Sequence, residues 1–106
     1  IPTIGFRVEF KGSAKVAAYS CDTEPCEEVV QLAKGADVLI HEASGAFKGH
    51  SSSEQAAEVA SKADVEKLYL IHYPTGEFWQ ENLLDDARSH FSGDVELAED
   101  LMVLEF

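Results

Sequence analysis

Asp37-Val38-Leu39-Ile40-His41-Glu42-Ala43-Ser44-Gly45-Ala46-Phe47-Lys48-Gly49-His50 begins as a short apolar run and ends in a loop bearing ionisable side chains. An apolar run of this length, closed by Ser and Gly, predicts a strand buried on both faces. In layered α/β domains ligands collect outside the carboxyl ends of strands, so His41, Glu42 and His50 occupy a position suited to chemistry. Two neighbouring stretches repeat the arrangement. Ala14–Ser20 runs out into Cys21, Asp22 and Thr23, and Lys67–Ile71 runs out into His72, Tyr73 and Pro74. Three strand exits therefore carry Asp, Glu and His.

Outward from these stretches the pattern is regular. Thr3–Phe10 alternates apolar and polar residues, as a half-buried strand does, and Lys11-Gly12-Ser13 turns it into an antiparallel hairpin with Ala14–Ser20. Thr23 and Pro25 mark a helix start, Cys26, Val29, Val30 and Ala33 its inward stripe, and Gly35 its end. Ser52 and Gln55 predict a capping box for a second helix with Ala56, Val59, Ala60 and Ala63 inward. After the Pro74-Thr75-Gly76 turn, a third helix starts at Trp79 or Gln80, turns Leu83, Leu84, Ala87 and Phe91 inward, and stops by Gly93. Val95–Ala98 and Leu101–Phe106 read as closing strands, giving the order ββ-α-β-α-β-α-ββ.

The 106 residues, 45% of them hydrophobic, suffice for one domain with its own core. No stretch approaches the roughly 20 apolar residues that span a bilayer, and no signal-peptide pattern opens the sequence, so no membrane partner is expected. Cys21 and Cys26 lack C-x-x-C spacing and read as reduced thiols, in keeping with a cytoplasmic protein. The net charge of −12, with only eight basic residues, counts against a phosphate-gripping surface. The first residue is Ile1 and the first strand looks mid-domain, so a piece of a longer polypeptide is expected.

Asp22, His50 and His72 are oxygen and nitrogen donors of the kind zinc takes, although no local spacing such as H-x-x-x-H joins them. A helix-start role for Asp22 and a hydrogen-bonded role for each histidine are the alternatives for any one of them alone. Taken together, Ser20-Cys21-Asp22-Thr23, His41-Glu42-Ala43-Ser44, Gly49-His50-Ser51-Ser52 with Ala56-Ala57, and Leu70-Ile71-His72-Tyr73 resemble successive motifs of the metallo-β-lactamase superfamily, in its ribonuclease Z branch. That resemblance implies an α/β fold, the αββα sandwich. This chain, residues 1–106, would be its carboxy-terminal half, a mixed sheet with helices on one face.

The resemblance also implies roles. Asp22 stands where the family has an aspartate bridging two metal ions, and His72 where it has the last histidine ligand of the second. His50 and Glu42 match a pair in which the histidine supplies a proton to the leaving oxygen and the glutamate orients it, while His41 would support the sheet. The implied cofactor is Zn²⁺, two per complete site, with Mn²⁺ or Fe²⁺ as substitutes. Two such cations generate a nucleophile at neutral pH and stabilise phosphoryl charge. Three departures stand out: Cys21 replaces a glycine, with a thiolate that could compete for zinc; Ile71 and Tyr73-Pro74 alter the last motif; and the H-x-H-x-D-H signature of the amino-terminal half has no counterpart. Without that half, on the same or a separate chain, the piece should expose an apolar sheet face and bind metal poorly.

The function expected is a metal-dependent hydrolase of phosphodiesters acting on RNA in the manner of transfer-RNA 3′ processing. A hydrolase of a small phosphodiester or ester, and an inactive scaffold or assembly domain, are the alternatives, and a homodimer is compatible with each.

Overall fold

The structure, a computed structural model, describes residues 4–75 and 77–106, excepting the side chains of 77–81. Thr3 and Gly76, expected at a strand start and in a turn, lie outside the described residues. The elements are β1 (Phe6–Glu9), β2 (Val16–Tyr19), α1 (Glu27–Ala33), β3 (Val38–Glu42), α2 (Ser53–Ala63), β4 (Lys67–Ile71), α3 (Glu77–Arg88) and β5 (Asp94–Leu97). They form a five-stranded sheet in the order β1-β2-β3-β4-β5, with the first pair antiparallel and the rest parallel. A monotonic strand order with right-handed crossovers places successive helices on the same face. The expected mixed sheet with helices on one side is what forms.

The core lies between that face and the helices. Ala18, Leu39, Leu68, Leu70 and Val95 from the strands meet Val29, Val30, Ala33, Ala56, Val59, Ala60 and Ala63 from α1 and α2. Alanines along α2 keep the helix close to the sheet, and β3 at the centre is buried along most of its length, as its apolar run predicts. α2 opens on the expected capping box. The Ser52 hydroxyl accepts from the Gln55 amide, and the Gln55 side chain accepts from the Ser52 amide.

Four expectations need correction. β1 is exposed along its whole length rather than half-buried. Its register with β2 sets Phe6 opposite Tyr19 and Val8 opposite Ala17, on the face away from the helices, where Ile4, Phe6, Val8 and Phe10 remain 46–70% exposed. Across the strand Arg7, which the alternation assigns to a polar face, donates to the carbonyls of Leu32 and Lys34 and so closes the carboxyl end of α1.

α1 starts at Glu27 with Cys26 as its N-cap, not at Thr23, whose hydroxyl donates to the Glu24 carbonyl instead. α3 starts at Glu77, ahead of Trp79, and ends at Arg88, with Phe91 buried just beyond it. Leu101–Phe106 is no strand. A turn at Glu99–Met102, with Leu101 at φ 63°, takes the chain off the β5 edge, and Phe106 ends edge-on to Phe10 at 5.7 Å beyond the opposite edge. The tail thus crosses the sheet instead of extending it.

Candidate metal centre at the strand exits

β2 and β4 end in the same backbone manoeuvre. Cys21 (φ 55°), two residues past β2, and His72 (φ 54°), directly after β4, both adopt the left-handed conformation. An L-residue there costs roughly 1–2 kcal/mol relative to glycine, and such strain is concentrated at functional sites. Glycine, which the resemblance implied at position 21, would adopt this conformation without strain. Cys21→Gly is therefore expected to be about 1 kcal/mol more stable than Cys21→Ala in chemical denaturation. Equal midpoints for the two variants would remove the backbone explanation.

These turns bring Asp22 and His72 together. His72 Nδ1–H donates to Asp22 Oδ1 at 2.9 Å, and both side chains are about half exposed. A carboxylate on Nδ1 fixes the neutral tautomer whose Nε2 carries the lone pair, the form of imidazole that ligates a metal. Ser44 Oγ, on the β3 exit, donates to the His72 carbonyl at 3.0 Å and joins the two exits.

Glu42 closes β3 and is completely buried. Its carboxylate accepts from three backbone amides that belong to three different segments. Oε1 takes Ser51 N at 2.6 Å and Thr23 N at 3.3 Å, and Oε2 takes Ser44 N at 2.8 Å. The Glu42 amide in turn donates to Ser20 Oγ. These bonds compensate the burial of a charge that would otherwise be prohibitive.

His50 lies beside it, Nδ1 at 3.5 Å from Glu42 Oε1, within ion-pair distance but outside hydrogen-bond geometry. Donor atoms of Asp22, Glu42 and His50 fall within 4.8 Å of one another. All four residues expected at the site are thus in one cluster.

Mixed carboxylate and imidazole donors suit zinc or a similar divalent cation. Within the cluster the side chains differ in exposure and in how many lone pairs are already engaged. Asp22 and His72 face solvent, whereas Glu42 has committed most of its acceptor capacity to backbone amides.

Tyr19 escaped the sequence reading, although its register with Ile40 sets it on the open face two residues before Cys21. Burial first, then the nearby charges of Cys21, Asp22 and Glu42, push its hydroxyl above the usual range and keep it protonated. Ser51, which the sequence marks only as part of a motif, donates its hydroxyl to the Thr23 carbonyl. His41 is fully buried and its Nδ1–H donates to the Glu42 carbonyl; burial pushes the imidazole below its usual range.

Comparison with known proteins bears on the family and the fold. The profile of the β-lactamase superfamily domain matches residues 1–73. The metallo-β-lactamase-fold protein YhfI of Bacillus subtilis superposes with a TM-score of 0.78 at 29% identity, covering 90% of this chain and 41% of that one. The chain belongs to the metallo-β-lactamase superfamily. Within the superfamily, it is 43% identical over 95 residues to ribonuclease Z of Methanothermobacter thermautotrophicus, an alignment covering 82% of this chain and 31% of the relative. Ribonuclease Z of Bacillus licheniformis is 46% identical over 89 residues, 73% of this chain and 28% of the relative. The short form of human tRNase Z superposes with a TM-score of 0.73 at 28% identity over 99% of this chain and 39% of that one. The chain spans about a third of the length of the curated relatives it matches.

Proposed function

We propose that this chain is the carboxy-terminal half of a metal-dependent phosphodiesterase of ribonuclease Z type, working on RNA in the manner of transfer-RNA 3′ processing. The observation that carries the reading is the convergence of Asp22, Glu42, His50 and His72 from separate segments onto one rim. Ribonuclease Z relatives above 40% identity support the substrate class.

Asp22 and His72 would hold zinc together with donors from an amino-terminal half. That half, on the same or a separate chain, would also cover Ile4, Phe6, Val8 and Phe10. When bound, two such cations supply Lewis acidity and a nucleophile at neutral pH. Glu42, immobilised by backbone amides, holds its charge beside Nδ1 of His50, which leaves Nε2 to deliver a proton to the leaving oxygen. Tyr19, protonated at the same rim, adds a hydrogen-bond donor rather than a further charge. Free thiols at Cys21 and Cys26 suit a reducing, cytoplasmic setting, and among the described residues no helix is long and apolar enough to cross a membrane.

Metal analysis of the complete polypeptide tests the assignment. The wild type should carry two zinc equivalents, and Asp22→Ala or His72→Ala should lose at least one. Full retention in both variants would place the ligands elsewhere. A wild type without metal would favour the scaffold reading, and hydrolysis of a small phosphodiester without cleavage of RNA would favour the alternative substrate.

A further inference from the structure

The loop that carries His50 also presents an aromatic ring to solvent. Phe47 is 67% exposed, yet it is not loosely held. Its amide donates to the Gly45 carbonyl at 2.8 Å, and the His50 amide donates to the Phe47 carbonyl at 3.0 Å. The ring lies over Gly45 (φ 140°) so closely that a Cβ there would sit 2.4 Å from it. A side chain at position 45 would meet the ring as it stands, and it would also sit in a backbone conformation that side chains rarely adopt. An exposed aromatic on a hydrogen-bonded backbone, with part of its ring already packed on the chain, loses less freedom on contact than one on an open loop.

Phe47 lines an open groove of about 300 Å³ together with Pro74 and Leu83. The groove adjoins the rim through the chain itself. Ala43 and Ser44 follow Glu42, Ser52 and Ser53 follow His50 and Ser51, and Pro74 follows His72 and Tyr73. Glu54 and Asp86 are the charged residues of its lining, which includes no Lys or Arg among the described residues. Such a lining repels phosphate but can accept from the exocyclic amino groups of bases. Flat apolar walls with carboxylate acceptors match a nucleobase, which must be unpaired to enter.

We infer that this groove takes an unpaired nucleobase of a single-stranded RNA, stacked on Phe47, next to the phosphodiester presented to the rim. The inference rests on the phosphodiesterase reading for that placement, whereas stacking itself is separable from cleavage. It also reconciles an acidic chain with an RNA substrate, because this half would grip bases and leave phosphates to its partner.

A short single-stranded RNA containing 2-aminopurine, titrated with the metal-free complete polypeptide, reads stacking by fluorescence quenching. Phe47→Ala is expected to weaken binding about ten- to hundredfold and abolish quenching, Phe47→Trp to retain both, and a fully paired duplex to show no dependence on Phe47. An unchanged affinity in Phe47→Ala, or equal losses for paired and unpaired RNA, would overturn the inference. With metal restored, cleavage by a wild type that shows no quenching overturns the groove alone. Quenching without cleavage leaves the groove and overturns the phosphodiesterase reading.

Discussion

Glu42→Ala should destabilise the chain by about 3 kcal/mol, because one buried amide (Ser51) and two part-buried ones (Thr23 and Ser44) lose their acceptor together and each orphaned donor costs roughly 1–3 kcal/mol when buried. Water entering the vacated space would satisfy part of this demand, which is why the expected loss lies at the lower end of the sum. Against a total stability of about 5–15 kcal/mol for a domain of this size, the change is severe. Glu42→Gln should fall between, since its amide keeps one acceptor but turns a donor toward an amide already seeking one. Urea midpoints measure the loss. Hydrogen exchange at Thr23, Ser44 and Ser51 locates it, and these three amides should lose protection together. A midpoint change equivalent to less than 1 kcal/mol would show that the exits hold their shape without the carboxylate.

The second large effect is on turnover. His50→Ala in the complete polypeptide should keep near-normal metal content and folding, because among the described residues Nδ1 has no hydrogen-bond partner, and the side chain is a third exposed. Cleavage should nevertheless slow by about 10²–10⁴, the range for a lost general acid. The leaving group provides an internal control. A substrate releasing nitrophenolate needs little protonation and should lose far less than one releasing an alkoxide. Loss of metal in this variant would instead make His50 a ligand alongside Asp22, and equal losses on both substrates would deny it the proton.

What could be read from the sequence was whatever rests on local pattern. The run from Val38 to Glu42 announced a central strand, and Ser52 with Gln55 announced a helix start, because both signals lie within a few residues. β1 misled because alternation states which residues share a face and not whether anything covers it. The closing segment misled for a related reason. Met102 to Phe106 has apolar, strand-like composition, but its contact is with Phe10, nearly the whole chain away. At the site, the motifs pointed to Asp22, Glu42, His50 and His72, which the structure brings together, whereas the fastening of the loops was not legible. Glu42 is an acid in any reading, and only its three amide partners, from residues 23, 44 and 51, show that it organises loops. Tyr19 gave no signal beyond its place in a strand.

The stitching of the exits by Glu42 has one more implication. Because a side chain and not a cation fastens these loops, chelation should strip the ion while the architecture persists, unlike a zinc finger that melts without its metal. A cation held at this centre would then be an exchangeable passenger. Which element occupies the centre at a given moment would then follow supply in the cell, not the folding history of the protein.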